Sequence, residues 1–265
     1  MDVVIAAVLF FVGYNHHKNK KAFEDNLAQM VIGKWLAVER NGSPLLTNMT
    51  HVVTFLSTTE SYTSTSWLEL VASQDESTWG KRGKSQVTID GNKITIVLTP
   101  NTHMKVVDEM EVSSITDSDL NGYSVVTTYM DGFKVTTSEY SCRYERVKEN
   151  FEEAIIGKWE GRVTSEMGSD FGDSQLHRWE FLPDGNYRYY RRIDGKWQPN
   201  DEFAQYFIDG SLLCCRWKNK GVDQEEHREW WVVSSNKNGV MSWTAYRENR
   251  DGSIYTSTLS MTKVD

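Results

Sequence analysis

The sequence predicts an all-β protein made of two tandem antiparallel up-and-down barrels, eight strands in each and each opened by a short helix. Three observations carry that expectation. The phrase Val31-Ile32-Gly33-Lys34-Trp35 returns as Ile155-Ile156-Gly157-Lys158-Trp159, about 120 residues on, the length of a domain rather than of a solenoid unit. Later landmarks return in the same order: Trp79 as Trp197, Ile89-Asp90-Gly91-Asn92 as Ile208-Asp209-Gly210-Ser211, Val112-Ser113-Ser114 as Val233-Ser234-Ser235, and Asp131-Gly132 as Asp251-Gly252. Finally, period-two segments rich in Val, Thr, Tyr and Trp alternate with Asp-Gly and Asn-Gly pairs, which accept the positive φ angles of tight hairpin turns. The repeat divides the chain into an apolar N-terminal segment (1–21), a first barrel (22–147) and a second (148–265). No Gly/Ser-rich linker separates the barrels, so a fixed relation between them is expected.

The chain opens on an apolar stretch, residues 3–14, shorter than the ~20 residues a membrane-spanning helix needs. Its length suits the apolar region of an export signal or an anchor. That reading places the protein in the periplasm or cell envelope and allows membrane association through this stretch; a structured segment of a cytosolic protein is the alternative. Against a regular signal, Asp2 stands where positive charge belongs, and Lys18, Lys20 and Lys21 lie downstream. No small-x-small cleavage site or lipobox cysteine follows.

Each barrel then begins with a helical phrase. Leu27, Met30 and Val31 keep helical spacing in the first copy, and Phe151, Ala154 and Ile155 in the second, where Asn150 and Glu153 are spaced as a capping box. Gly-Lys-Trp starts the first strand of each copy. Further strands are read at 52–55, 85–89, 93–98, 123–129 and 134–140, then at 178–182, 186–192, 204–208, 211–217, 228–233, 241–247 and 254–261. The hairpin pairs Asp90-Gly91, Asp131-Gly132, Asp184-Gly185, Asp194-Gly195, Asp209-Gly210, Asn238-Gly239 and Asp251-Gly252 punctuate them. A meander of this length closes most easily on itself, which removes both edges, and eight strands enclose either a packed interior or one small-ligand cavity.

These residues resemble the lipocalins and the wider calycin group, and most closely the small bacterial lipocalin-like domains, here in tandem. The second copy carries the pattern as Gly157-Lys158-Trp159, Trp179-Glu180-Phe181-Leu182-Pro183-Asp184-Gly185-Asn186-Tyr187, Trp197 and Ile208-Asp209-Gly210. The first keeps Gly33-Lys34-Trp35 and Phe55 but has Ser57-Thr58-Thr59-Glu60 where the Asp-Gly turn belongs. The resemblance implies that a basic residue of the last strand packs over the first-strand tryptophan at the barrel base: Arg146 over Trp35, and Lys263 over Trp159. It implies a fold and a cavity, without a ligand.

Composition and motifs exclude several function classes. The net charge of −8 is shared by both halves, and neither has the basic excess that phosphate neutralisation requires, so nucleic acid is not an expected partner. Cys142, Cys214 and Cys215 fit no zinc spacing and form no disulfide framework; adjacent in a strand, Cys214 and Cys215 point to opposite faces. No nucleophile elbow, Walker loop, dinucleotide fingerprint or paired metal histidines are present, so no catalytic residue, metal or cofactor is expected. His16-His17 read as a solvated tail, His51 and His177 as surface or rim residues, and Glu225-Glu226 as a solvated turn.

The aromatic distribution is the sharper signal. Of 10 tryptophans, Trp35, Trp67 and Trp79 fall in the first copy and Trp159, Trp179, Trp197, Trp217, Trp230, Trp231 and Trp243 in the second. Ordinary core packing is one explanation. The other is a cavity lined by Trp179, Trp217, Trp230 and Trp243 with Tyr187, Tyr189 and Arg191, suited to a planar or amphipathic anionic ligand. The expected function is a non-enzymatic carrier or sensor of a small apolar or amphipathic molecule, bound in the second barrel. The alternative is an envelope-associated structural or protein-interaction module with filled barrels and a partner the sequence does not identify.

Overall fold

The computed structural model describes residues 26–65, 83–165, 176–199, 201–219, 226–235 and 240–264. The N-terminal stretch 3–14, His16-His17, Trp67, Trp79, Glu225 and the Asn238-Gly239 turn lie outside those residues. The described chain is almost entirely antiparallel strand in two sheets, with one short helix over 26–30.

The first sheet contains β1 (Gly33–Arg40), the two-residue β2 (Ser43–Pro44), β3 (His51–Phe55), β4 (Glu60–Thr65), β5 (Gly83–Asp90), β6 (Lys93–Leu98), β7 (Met104–Ile115), β8 (Asp119–Met130) and β9 (Phe133–Arg146). Each main strand pairs with its predecessor, and β1 pairs with both β3 and β9, so eight strands close into a barrel with β2 appended to the end of β1. Closure runs from Trp35↔Arg146 to Arg40↔Cys142, with a bulge between Ala37 and Glu39.

The second sheet contains β10 (Gly157–Ser165), β11 (Leu176–Phe181), β12 (Tyr187–Ile193), β13 (Lys196–Pro199), β14 (Asp201–Asp209), β15 (Leu212–Asn219), β16 (His227–Ser235), β17 (Met241–Glu248) and β18 (Ile254–Val264). Its order, β13-β12-β11-β10-β18-β17-β16-β15-β14, leaves it a curled half-barrel. The expected closed eight-stranded barrel is corrected here. The Asp194-Gly195 turn, with φ of 50° and 76°, folds β13 back onto β12 and occupies the edge that closure would need. Among the described residues the seam is crossed by the Asn186↔Gln205 bridge, by the Tyr206 amide on the Gly185 carbonyl (2.8 Å) and by the Tyr206 hydroxyl on Leu182 O (2.8 Å). The expected second helix contracts to one turn, in which the Ile155 amide donates to Phe151 O at 2.9 Å and Asn150 Oδ1 caps the Glu152 amide at 3.2 Å.

Both copies build their base alike. The Trp35 indole donates to Val31 O and the Trp159 indole to Ile155 O, each at 2.7 Å. Gly33 and Gly157 adopt φ of +126° and +124°, in the region glycine alone enters cheaply. A Cβ at Gly33 would also stand 2.7 Å from the Arg146 guanidinium, and one at Gly157 2.8 Å from the Lys263 side chain. The glycine of Gly-Lys-Trp therefore makes room for the cation that covers the tryptophan.

The two sheets pack outer face to outer face. Leu36 and Val52 of the first meet Leu212 and Cys214 of the second, with Val38, Val147, Phe207, Trp230 and Val232 around them. Beside this patch the Lys34 ammonium reaches the buried Asp209 carboxylate at 2.5 Å and Glu152 at 3.2 Å. Thr47 Oγ1 accepts from the Tyr246 amide at 2.7 Å. Apolar contact and a charge-assisted bond thus join the two copies directly.

Candidate functional site

Alternation along β11, β12, β16 and β17 aims one set of side chains into the second half-barrel. At the bottom, Trp159, Phe181, Tyr187, Tyr206, Leu213, Val233, Met241 and Met261 form a continuous apolar core. Trp243 stands above it, with ring centroids 5.5 Å from Phe181, 5.4 Å from Trp179 and 6.5 Å from Trp231. Trp179 leans on Tyr189 at 5.0 Å, and His177 stacks on both at 5.6 and 5.9 Å while its Nδ1 pairs with the Tyr189 hydroxyl at 2.6 Å. Trp217 stacks on His227 at 5.6 Å. Inward-facing charge appears at the same level: the Arg247 guanidinium donates to Glu229 at 2.6 Å and covers Trp231 at 4.8 Å.

Three inward polar atoms have no protein partner among the described residues: His177 Nε2, Trp243 Nε1 and Ser257 Oγ. Buried polar atoms are ordinarily satisfied by protein or by water. Burial lowers the His177 pKa, nearby Glu229 opposes that shift, and Arg191 adds to it.

The structure divides the expected ligand set. Trp179, Tyr189 and Trp243 come together, and Tyr187 lies deeper, stacked on Phe181 at 5.7 Å. Arg191, exposed on β12, follows Tyr189 and pairs with Gln198 of β13, and Trp217 lies on β15, paired with Ala204 of β14. Trp230 does not belong with them. It occupies the opposite face of β16, in the patch between the sheets, and its neighbour Trp231 faces inward. His177 is buried inside the half-barrel, a correction to its reading as a surface or rim residue, while His51 points into the first barrel and stays partly accessible. Glu226 is exposed, as expected, and pairs with Arg216 at 3.6 Å and Arg228 at 2.7 Å. All three cysteines are buried and outside any disulfide, Cys215 inward and Cys214 between the sheets. At the bases, the Arg146 guanidinium covers Trp35 at 4.2 Å and donates to Ile32 O (2.8 Å), Asp117 O (3.0 Å) and Met30 O. Lys263 is 5.4 Å from the Trp159 ring centre.

The first barrel holds a polar layer that sequence reasoning missed. The inward face of β7 reads Met104, Val106, Asp108, Met110, Val112. Asp108 separates an upper apolar cluster of Leu98, Met104 and Val106 from the main core. Ser124 lies beside it, and Arg40 stacks on the Tyr140 ring at 3.9 Å. The His51 ring nitrogen is 3.3 Å from the Tyr144 hydroxyl. Burial raises the Asp108 carboxyl to about 6, against the opposing pull of Ser124 and Arg40. Burial lowers His51 to about 4, helped by the Arg40 charge. The signal was present in the sequence, since Asp108 is the one acid in the apolar phase of an alternating segment.

Among the described residues no three His, Cys, Asp or Glu side chains converge as a metal site, and no helix is long and apolar enough to cross a membrane. Comparison with protein-family models and with curated proteins returns no match.

Proposed function

We propose that the chain is a non-enzymatic binding protein that takes a small amphipathic molecule into the upper interior of its second half-barrel. The single observation behind this reading is the set of unpartnered, inward polar atoms on His177, Trp243 and Ser257, carried by β11, β17 and β18 of the half-barrel with its aromatic rings. The apolar body of the ligand lies against Trp179, Tyr189 and Trp217, and Arg191 of β12 orients an anionic end. Concave sites of this kind are mostly apolar, with a few polar groups that fix orientation. Kinship with the lipocalin-like domains belongs to the same proposal. It is supported by the repeated base, a glycine with positive φ before a buried tryptophan under a cation. Export to the cell envelope is proposed on the N-terminal apolar stretch alone.

Tryptophan fluorescence titration with octanoate, octanol and a planar aromatic acid tests the reading. Saturable quenching is expected, and Arg191→Ala should weaken the acids about tenfold while sparing octanol, because only the acids lose a charge-assisted contact. Absence of saturable binding by all three would overturn it. A protein-interaction role is the second reading. It is favoured by the β8–β9 tip, where Phe133 and Val135 are 78% and 61% exposed; under that reading Phe133→Ser abolishes association and leaves ligand titrations unchanged.

A further inference from the structure

The polar layer of the first barrel is not used by the proposal above. A carboxylate placed in an apolar stripe is costly unless something compensates it. Asp108 Oδ1 is buried with no partner among the described residues, as are Ser61 Oγ and Ser85 Oγ on the neighbouring interior face. Arg40 makes no ion pair among the described residues; its guanidinium carbon lies 3.9 Å from the Tyr140 ring centre, and it hydrogen-bonds the Tyr140 side chain. Arg40, His51 and Asp108 all keep partial accessibility although they face the barrel interior.

We propose that the interior of the first barrel is a second binding site, which takes the anionic head of a small amphiphile between Arg40 and Asp108. Arg40 supplies the ionic contact, since guanidinium offers several parallel donors to an oxyanion. The Asp108 carboxyl, when protonated, donates a further hydrogen bond, and the apolar tail lies along Leu98, Met104 and Val106.

Protonation of Asp108 decides the charge of the layer. Arg40 faces it from β1, His51 from β3, Ser124 from β8, and Tyr140, Cys142 and Tyr144 from β9; the Glu109 charge acts on it from its own strand. Ser61 and Ser85 line β4 and β5, and the uncharged Ile96 is its partner on β6. Burial lowers His51 to about 4 and raises Cys142 to about 11 and Tyr140 to about 12, with Tyr144 raised as well. Asp108, raised to about 6, is the group of this layer that changes charge between pH 5 and 7.5. Below its pKa the layer carries the Arg40 charge alone and attracts an anion. Above it, the ionised carboxylate repels one.

Calorimetric titration of the full chain with octanesulfonate, whose charge is constant over this range, tests the site; octanol and octyltrimethylammonium are the neutral and cationic controls. All titrations use Arg191→Ala as the background, so that a signal lost in that background belongs to the half-barrel. Octanesulfonate should bind about tenfold more tightly at pH 5 than at pH 7.5. Asp108→Asn should bind it equally at both pH values. Arg40→Met should weaken it at least tenfold and Arg40→Lys much less, neither changing octanol binding. Unchanged affinity in Arg40→Met, pH dependence that persists in Asp108→Asn, or tighter binding of the cation would each overturn the proposal. Near-UV circular dichroism establishes that each variant is folded.

Discussion

Trp35 and Trp159 show what one residue does in each copy. Each is fully enclosed, and each indole closes a hydrogen bond to the turn before its strand, so truncation removes both volume and a satisfied donor. Trp35→Ala and Trp159→Ala should each cost ~3–5 kcal/mol, the range for large core aromatics, measured by urea unfolding. Their covering cations are not equivalent. Arg146 ties three backbone carbonyls together as well as covering the ring, whereas Lys263 only covers its ring. Arg146→Met should therefore cost roughly 1.5–3 kcal/mol and Lys263→Met under ~1 kcal/mol. Asp108 carries a pH signature. Its folded pKa of about 6 lies above its ordinary value of 3.8, so the stability it permits is fully present below pH 3.8 and lost as pH rises through about 6. His51, depressed from 6.5 to about 4, acts oppositely: its contribution is present above pH 6.5 and lost as pH falls through about 4. The two partly cancel in the native protein. Asp108→Asn should separate them, matching the native chain near pH 3.5 and exceeding it by roughly 1–3 kcal/mol at pH 7.5, read from urea midpoints at each pH.

At the scale of elements, the deciding difference lies between the β4–β5 pairing and its counterpart, β12–β14. In both copies the last strand pairs with the first along its length, and the first copy closes its barrel because β4 also pairs with β5. In the second copy β12 is taken by β13, and beyond the Asn186↔Gln205 bridge β12 and β14 part. Backbone amides at the seam lack the cooperative protection of paired strands. Hydrogen exchange should therefore be fastest in β13 and the N-terminal half of β14 and slowest in β10 and β18, whose pairing is continuous from Lys158↔Val264 to Ser165↔Ser257. Equal protection across the sheet would mean that the seam is closed in solution. The β10–β18 contact is also the tightest: a Cβ at Gly161 would meet Ser260 O at 2.3 Å and Met261 Sδ at 2.4 Å. Gly161→Ala should push the strands apart and lower stability by roughly 1–3 kcal/mol, as overpacking does.

In the whole molecule the two copies depend on one another. The patch between them places Trp230 and Val232 against Leu36 and Val52, beside the Lys34–Asp209 pair, and Asp209 is 2% exposed. Lys34→Met takes the cation from a buried carboxylate, an exchange that costs roughly 2–4 kcal/mol. Calorimetry should show one cooperative transition for the native chain and two separated ones for Lys34→Met, because the copies then unfold independently.

The hairpin turns, the duplicated Gly-Lys-Trp base and the all-β class were legible in the sequence, because positive φ, alternation and repetition are local properties. Asp108 was legible too, as one acid in the apolar phase of β7, but only once that segment is recognised as a strand. What tertiary structure decided is which face of a strand looks inward where both faces are apolar. In Leu212-Leu213-Cys214-Cys215 and Trp230-Trp231-Val232-Val233 alternation disappears, because one face fills the half-barrel and the other packs on the first sheet. Trp230 and Trp231 thus exchange the roles that periodicity assigns them. Closure was likewise beyond local reading, since it depends on which edge reaches β12 first, and a near turn at Asp194-Gly195 brings β13 there before the more distant β14.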